Sequence, residues 1–312
     1  RDTLESVAAE VAQAYFDLVE AAARRELLES QLATTRARLE LIQAMYEGGL
    51  ATALDRLQQR QQVAAAASRL AAMTGAEDLA KQRIAVLLGE PPNELRVAVP
   101  RPALPEPPPI PDLGIPSEVI ARRPDVVAAQ KQVEAADHRV GAAVAARFPQ
   151  IRLQGSIGVG STEPQSFYEN LIYSAMATVT QPIYRGGALS ADAARYRAVL
   201  EERVATYADT VARALSDVES SLANVRQARA RVAALEDEVD AARAALAEAD
   251  VRYRAGLADV LSVLSAQEAL IGAELSLLSA RREWLRARVE LATALGGPWL
   301  DEVERPSAEA AR

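Results

Sequence analysis

The sequence predicts a mainly α fold, two long antiparallel coiled-coil hairpins with one β-hairpin between them. The first observation is a duplication. Tyr46-Glu-Gly-Gly-Leu-Ala-Thr-Ala-Leu-Asp-Arg-Leu57 and Tyr253-Arg-Ala-Gly-Leu-Ala-Asp-Val-Leu-Ser-Val-Leu264 are copies lying 207 positions apart, and Leu88-Gly89 and Leu295-Gly296 keep the same offset. A repeat of this length sets the architecture before any single residue is interpreted. The second is a stripe of period seven, the signature of a left-handed supercoil. The third is a short stretch of period two, the signature of a strand with one dry and one wet face.

Residues 1–89 read as the first hairpin. Its stripe runs Leu4, Val11, Leu18, Arg25, Leu32, Leu39, Tyr46, broken once at Arg25. A Gly-containing turn then reverses the chain near 46–57. Residues 90–116 carry ten of the sixteen prolines. Proline removes backbone donors and blocks helix, so this segment is expected to be an extended belt. Residues 117–148 should form a further helix, with Ser117 as N-cap and a bend or restart near Pro124.

The β-hairpin is expected over 149–184. In the first strand Ile151, Leu153, Ile157 and Val159 are apolar, whereas Arg152, Gln154 and Ser156 are polar. Ser161 to Asn170 makes a polar loop, and a second, more weakly alternating strand runs from about Leu171 to Tyr184. Phe148 and Tyr184 mark one end, with Phe167, Tyr168 and Tyr173 near the other. Strands of this length with aromatic ends suit a transmembrane barrel, and an ordinary soluble hairpin fits the same residues. A lone hairpin is marginal in water, so either form needs partner strands.

Residues 185–299 read as the second hairpin, with its turn near 253–264, and 300–312 as a polar tail. Gly186-Gly187 is a strand-to-helix corner. The stripe here is cleaner: Val204, Val211, Val218, Val225, Val232, Val239, Leu246, Tyr253. Three residues beyond each lie mostly small side chains, which let neighbouring helices approach closely. A helix from about Leu189 to Arg254 would be a rod of roughly 100 Å at 1.5 Å per residue. Such arms cannot bury their seams alone and are expected to wrap around a shared hollow axis.

Composition excludes several functions. A net charge of -8 with pI near 5.0 argues against nucleic acid. Cysteine is absent, and the one histidine, His138, has no companion ligand, so no metal or cofactor is expected. No nucleophile and base are recommended by spacing, so catalysis is not expected. No run approaches the length of apolar residues that a membrane-spanning helix needs. The chain opens at Arg1 inside a helical pattern, and the N-terminus is expected to be truncated or processed.

Pro116-Ser-Glu-Val-Ile-Ala-Arg-Arg-Pro-Asp125, Val140-Gly141, Ala145-Ala-Arg-Phe-Pro149, Gln181-Pro-Ile-Tyr-Arg-Gly-Gly187, Tyr253-Arg-Ala-Gly-Leu257, Ala266-Gln267 and Ala294-Leu-Gly-Gly-Pro-Trp299 stand in this order along the chain. Together they resemble the TolC-like outer-membrane efflux proteins, and within them the NodT-type lipoproteins of resistance-nodulation-division pumps. The resemblance implies a homotrimer in the outer membrane of a Gram-negative bacterium. Its helical tunnel would cross the periplasm and meet a β-barrel in outer-membrane lipid. Partners would be a periplasmic adaptor and an inner-membrane resistance-nodulation-division transporter, and the activity would be passive exit of small molecules. A type I secretion channel, which shares the fold, and a soluble periplasmic adaptor or scaffold are the alternatives. An adaptor carries one hairpin between halves of a β domain, whereas this chain has two hairpins about one strand pair.

On this resemblance the two turns lie at the periplasmic tip, with Gly49, Leu50, Gly256 and Leu257 facing the adaptor. Tyr46, Asp55, Tyr253, Asp259, Ser262 and Ser265 would line the mouth. For Tyr46 and Tyr253, core packing competes with hydrogen bonding across the mouth. For Asp55, favourable placement at a helix start competes with a cation-binding ring. Family members often carry acidic residues where Ser262 and Ser265 stand, with Asp259 on another part of the turn. Ile151, Leu153, Ile157 and Val159 would face lipid. Three copies of the single hairpin supply six strands, fewer than the family's barrel takes.

Overall fold

A computed structural model describes residues 2–91, 103–107, 120–159 and 171–296. The elements are α1 (Asp2–Glu47), α2 (Ala53–Leu88), α3 (Pro124–Ala145), β1 (Gln150–Val159), β2 (Leu171–Thr180), α4 (Ala188–Arg254) and α5 (Val260–Ala294). Most of the Pro-rich belt, Ser117, Phe167, Tyr168, the side chain of Val159 and the tail lie outside the described residues. The chain divides into two compact units, residues 1–120 with 215–312, and residues 121–214.

In the first unit α1 and α2 form one hairpin, and α5 folds back against α4 and α1. Leu18 of α1 is buried with Ala14 and Ile84. Arg25, the residue that interrupts the apolar stripe, hydrogen-bonds Glu77 of α2 at 2.6 Å and Glu29 on its own helix at 2.6 Å. The break in the stripe is therefore an ion pair on the hairpin seam. Glu77 also takes Lys81 at 2.7 Å. Burial pushes the Glu77 carboxyl up, but hydrogen bonds from Lys81 and Arg25 outweigh it and hold the group below the usual glutamate range.

Helices α1 and α5 run antiparallel along a polar ladder. Arg282 pairs with Glu20 at 3.0 Å, Arg24 reaches the Ser279 hydroxyl, and Gln31 donates to Glu274 at 3.2 Å. Between α4 and α5, Val225, Val232 and Val239 of the seven-residue stripe are buried, whereas Val204 is 49% exposed. Helix length explains the difference: α5 has 35 residues against 67 in α4 and cannot sheath the whole stripe.

One expectation is corrected here. Over an 18-residue window α5 reaches a mean hydropathy of 1.3, enough by length and composition to cross a membrane. Scattered Ser, Gln and Glu residues break any continuous apolar run, yet Leu, Ile, Val and Ala dominate the average. Many of those side chains, including Val263, Leu264, Leu270 and Ile271, are buried.

A short helical turn at 120–122 leads into the second unit, where a new helix starts at Pro124, which sits in the first turn of α3 where its missing N–H is harmless. The Arg123 guanidinium holds the Asp125 carboxyl below its usual range. Strands β1 and β2 pair antiparallel without a bulge, from Gln150↔Thr180 to Val159↔Leu171. This register places Ile151, Leu153 and Ile157 on one face with Val179, Ala177 and Tyr173. The other face carries Gln150, Arg152, Gln154 and Ser156 with Thr180, Thr178, Met176 and Ser174, and the two serine hydroxyls are bonded at 2.7 Å. The second strand stops at Thr180 rather than Tyr184, because Pro182 has no N–H to give a ladder. Phe148, Ile183 and Tyr184 are exposed at the base of the hairpin, where Gln181 donates to the Arg147 carbonyl at 3.2 Å.

Candidate functional site

Both helical hairpins reverse through the same backbone device. At the first turn Leu50 N–H donates to the Met45 carbonyl at 2.7 Å and Gly49 N–H to Tyr46 at 3.0 Å. At the second, Leu257 N–H donates to Arg252 at 2.9 Å and Gly256 N–H to Tyr253 at 3.0 Å. These are Schellman closures, and they need a left-handed residue after the helix. Gly49 and Gly256 both have φ +72°, and a Cβ added to either would meet nothing within 4 Å. Glycine is therefore required by the backbone angle rather than by crowding.

The residue following each glycine is a leucine held in the open. Leu50 and Leu257 are each 78% exposed, and one turn further Leu54 and Leu261 are also exposed. The two turns sit side by side. Ala51 of the first and Tyr253 of the second pack on one buried cluster of Ile42, Val260 and Leu264. The result is an apolar tip presenting two equivalent leucines.

The returning helices are capped by the same pair of residue types in opposite order. In the first turn Thr52 is the N-cap: its hydroxyl accepts from Asp55 N–H at 3.2 Å, and the Asp55 carboxylate accepts from Thr52 N–H at 2.8 Å. That is a reciprocal capping box. In the second turn Asp259 is the N-cap, accepting from Ser262 N–H at 3.0 Å and from the Ser262 hydroxyl at 2.7 Å. Ser262 stands at the repeat position of Asp55, and Asp259 at that of Thr52. The second turn has therefore moved its carboxylate three residues toward the glycine rather than lost it. The hydrogen bonds from the Ser262 hydroxyl and amide hold the Asp259 carboxyl below its usual range.

The tyrosines differ. Tyr46 lies under the Arg56 guanidinium, 4.6 Å from the ring centre. Tyr253 is half-buried against the tip cluster. Burial pushes its phenol up, the Asp55 carboxylate adds to the effect, and Arg38 opposes it. Arg38 itself bridges to Asp250 at 2.9 Å, fastening the last turns of α4 to α1. Ser265 is exposed on α5, as is His138 on α3.

Sequence reasoning missed a buried polar cluster just behind the tip. Gln59 of α2 donates to the Thr35 carbonyl at 3.0 Å, and Gln267 of α5 donates to the Thr35 hydroxyl at 2.9 Å. The hydroxyl in turn donates to the Gln31 carbonyl at 2.8 Å. Only the adjacency of Ala266-Gln267 within the quoted motifs touched this cluster, and the stripe does not predict it.

Long helical hairpins whose turns share one apolar end, together with a two-stranded hairpin that is apolar on one face, are the features of a helical outer-membrane protein class. The pattern of the outer membrane efflux protein family matches residues 1–90 and 115–297, and the chain belongs to that family. The pyoverdine export outer membrane protein OpmQ of Pseudomonas aeruginosa is 32% identical over 289 residues, 93% of this chain and 61% of its own length. The toluene efflux pump outer membrane protein TtgF of Pseudomonas putida is also 32% identical, over 93% of this chain and 61% of its own. Among solved structures, the outer-membrane channel OprN superposes with a TM-score of 0.82 at 28% identity, covering 96% of this chain and 67% of that one. The outer membrane protein VceC of Vibrio cholerae gives 0.76 at 27% identity, over 94% and 70%. The chain thus spans about three fifths of the length of the curated relatives, 61% in both cases. Family, fold class and outer-membrane location agree with the resemblance drawn from the motifs.

Proposed function

We propose that the chain forms the exit duct of a tripartite efflux pump, conducting small molecules passively across periplasm and outer membrane. Three copies would surround a helical tunnel, and a periplasmic adaptor would dock on the tips beneath a resistance-nodulation-division transporter. The observation that carries this reading is the shared apolar tip. Leu50 and Leu257, each 78% exposed, project from two equivalent turns that share one cluster at an end of the first unit. Exposed paired apolar side chains on rigid turns suit a helical-hairpin partner. The names of the relatives, toluene efflux and pyoverdine export, favour small molecules over polypeptides as cargo.

Tyr46, Asp55, Tyr253, Asp259, Ser262 and Ser265 line the mouth in this reading. Ile151, Leu153 and Ile157 face lipid, and the polar face lines the lumen. Opening carries the α4–α5 hairpin outward, because a seam of small residues such as Ala228 and Ala242 slides at modest cost.

The test is drug susceptibility of cells expressing the Gly256→Phe variant. Its positive φ cannot be held comfortably by phenylalanine, so docking should fail and the cells become sensitive; unchanged efflux would count against the tip. Cysteine placed at Ser262 and cross-linked between copies should lower conductance, and an unaltered current would remove Ser262 from the mouth.

A further inference from the structure

Thr35, Gln59 and Gln267 are 2%, 0% and 6% exposed, and they tie three helices through one threonine. Their hydrogen bonding is incomplete. The side-chain carbonyl oxygens of Gln59 and Gln267 are both buried, with no donor among the described residues. A buried acceptor left unmade costs more than a made bond returns, so a packed apolar residue would stabilise this seam better. Two such oxygens on one three-helix contact make that contact a costly one.

The position of the cluster matters as much as its chemistry. On one side the α1–α5 seam is the polar ladder Gln31–Glu274, Arg24–Ser279 and Glu20–Arg282. On the other side, toward the turns, the α1–α5 seam is apolar, Ile42 with Val260 and Leu264, and the one ion pair tying the α4–α5 hairpin to α1 there among the described residues is Arg38–Asp250. Directional hydrogen bonds and ion pairs fix register, whereas a small apolar contact permits sliding. Thr35 stands at the boundary between the fixed and the slidable part.

We infer that the Thr35–Gln59–Gln267 cluster is the pivot of the hairpin movement that opens the mouth, and that its two donorless oxygens bias the pivot toward opening. The inference rests on the proposed duct reading. When α5 swings from α1 at this level, water reaches both carbonyl oxygens and relieves their cost. Beyond Gln31 and Glu274 the ladder holds the remainder of the seam together. The resting tip is thereby poised rather than locked. A ligand or partner then needs only a modest difference in affinity between the two states to shift it.

The wild-type full chain is reconstituted in planar lipid bilayers and compared with two variants. In Gln59→Leu/Gln267→Leu both orphan oxygens disappear. Thr35 loses no essential partner there, since its hydroxyl still donates to Gln31. This variant should open about tenfold less often at unchanged unit conductance. Thr35→Val strands the Gln267 amide and should open about tenfold more often. Equal opening frequencies in all three chains overturn the pivot. The duct reading beneath it is tested separately, by the drug susceptibility of cells expressing Gly256→Phe, so the two failures are told apart. A readout without variants is amide hydrogen exchange of the wild type. Exchange should be faster in residues 260–267 than in 274–285, and uniform protection across α5 overturns the inference.

Discussion

Asp259 and Ser262 show how a residue's role follows from its hydrogen bonds rather than from its letter. By alignment of the two repeats, serine replaces the carboxylate of Asp55, which reads as a loss of charge at the tip. The cap geometry shows the charge displaced to the turn itself. Because the folded Asp259 carboxyl lies below its ordinary value, its contribution is complete above the usual aspartate range and fades as pH falls through the folded value. The Ser262 amide should therefore lose exchange protection on acidification, and Asp259→Ala should abolish that pH dependence. In the first turn Thr52→Ala should cost about 1 kcal/mol, read by thermal melting. Glu77 follows the same sign as Asp259. Its stabilising pairs with Arg25 and Lys81 hold above the glutamate range and are lost below the folded value. Glu77→Gln should destabilise by roughly 1–3 kcal/mol near neutral pH and flatten the acid limb of the melting curve.

Among the elements, much was legible. The offset between repeats places both turns, and the left-handed angle at Gly49 and Gly256 is what a glycine after a long helix announces. The alternation in β1 identifies its two faces. In β2 the alternation is blurred because Met176 and Ile172 sit on the otherwise polar face, so only the register reveals which side Tyr173 and Val179 share. Gln59 and Gln267 were hidden for a different reason. Pattern reading assigns amides to the surface, and a polar seam against Thr35 leaves no periodic trace. Arg25 looked like a fault in the stripe and proves to be a partner of Glu77. The apolar part of the α1–α2 seam is the stronger determinant of stability. Leu18→Ala, emptying a site closed by Ala14 and Ile84, should cost about 2–5 kcal/mol in chemical denaturation.

At the scale of the whole molecule, each of the two units keeps large apolar side chains exposed. Ile151, Leu153 and Ile157 of β1 stand in the open, as do Leu50 and Leu257 at the turns. These are different kinds of exposure. The leucines stand in small groups at the turns, whereas the strand residues form a continuous band on a sheet of two strands among the described residues. That sheet has consequences for biogenesis. Each strand has one flank whose amides and carbonyls face no neighbouring strand among the described residues, an open template for any passing extended chain. A newly made protomer would be vulnerable to illicit stacking until sister strands arrive, whereas its helices can zip early from local contacts. Assembly would then be paced by the rarest encounter, the meeting of bare ribbons, and escorts that shield them during transit should raise the yield of finished channels more than any reinforcement of the helices.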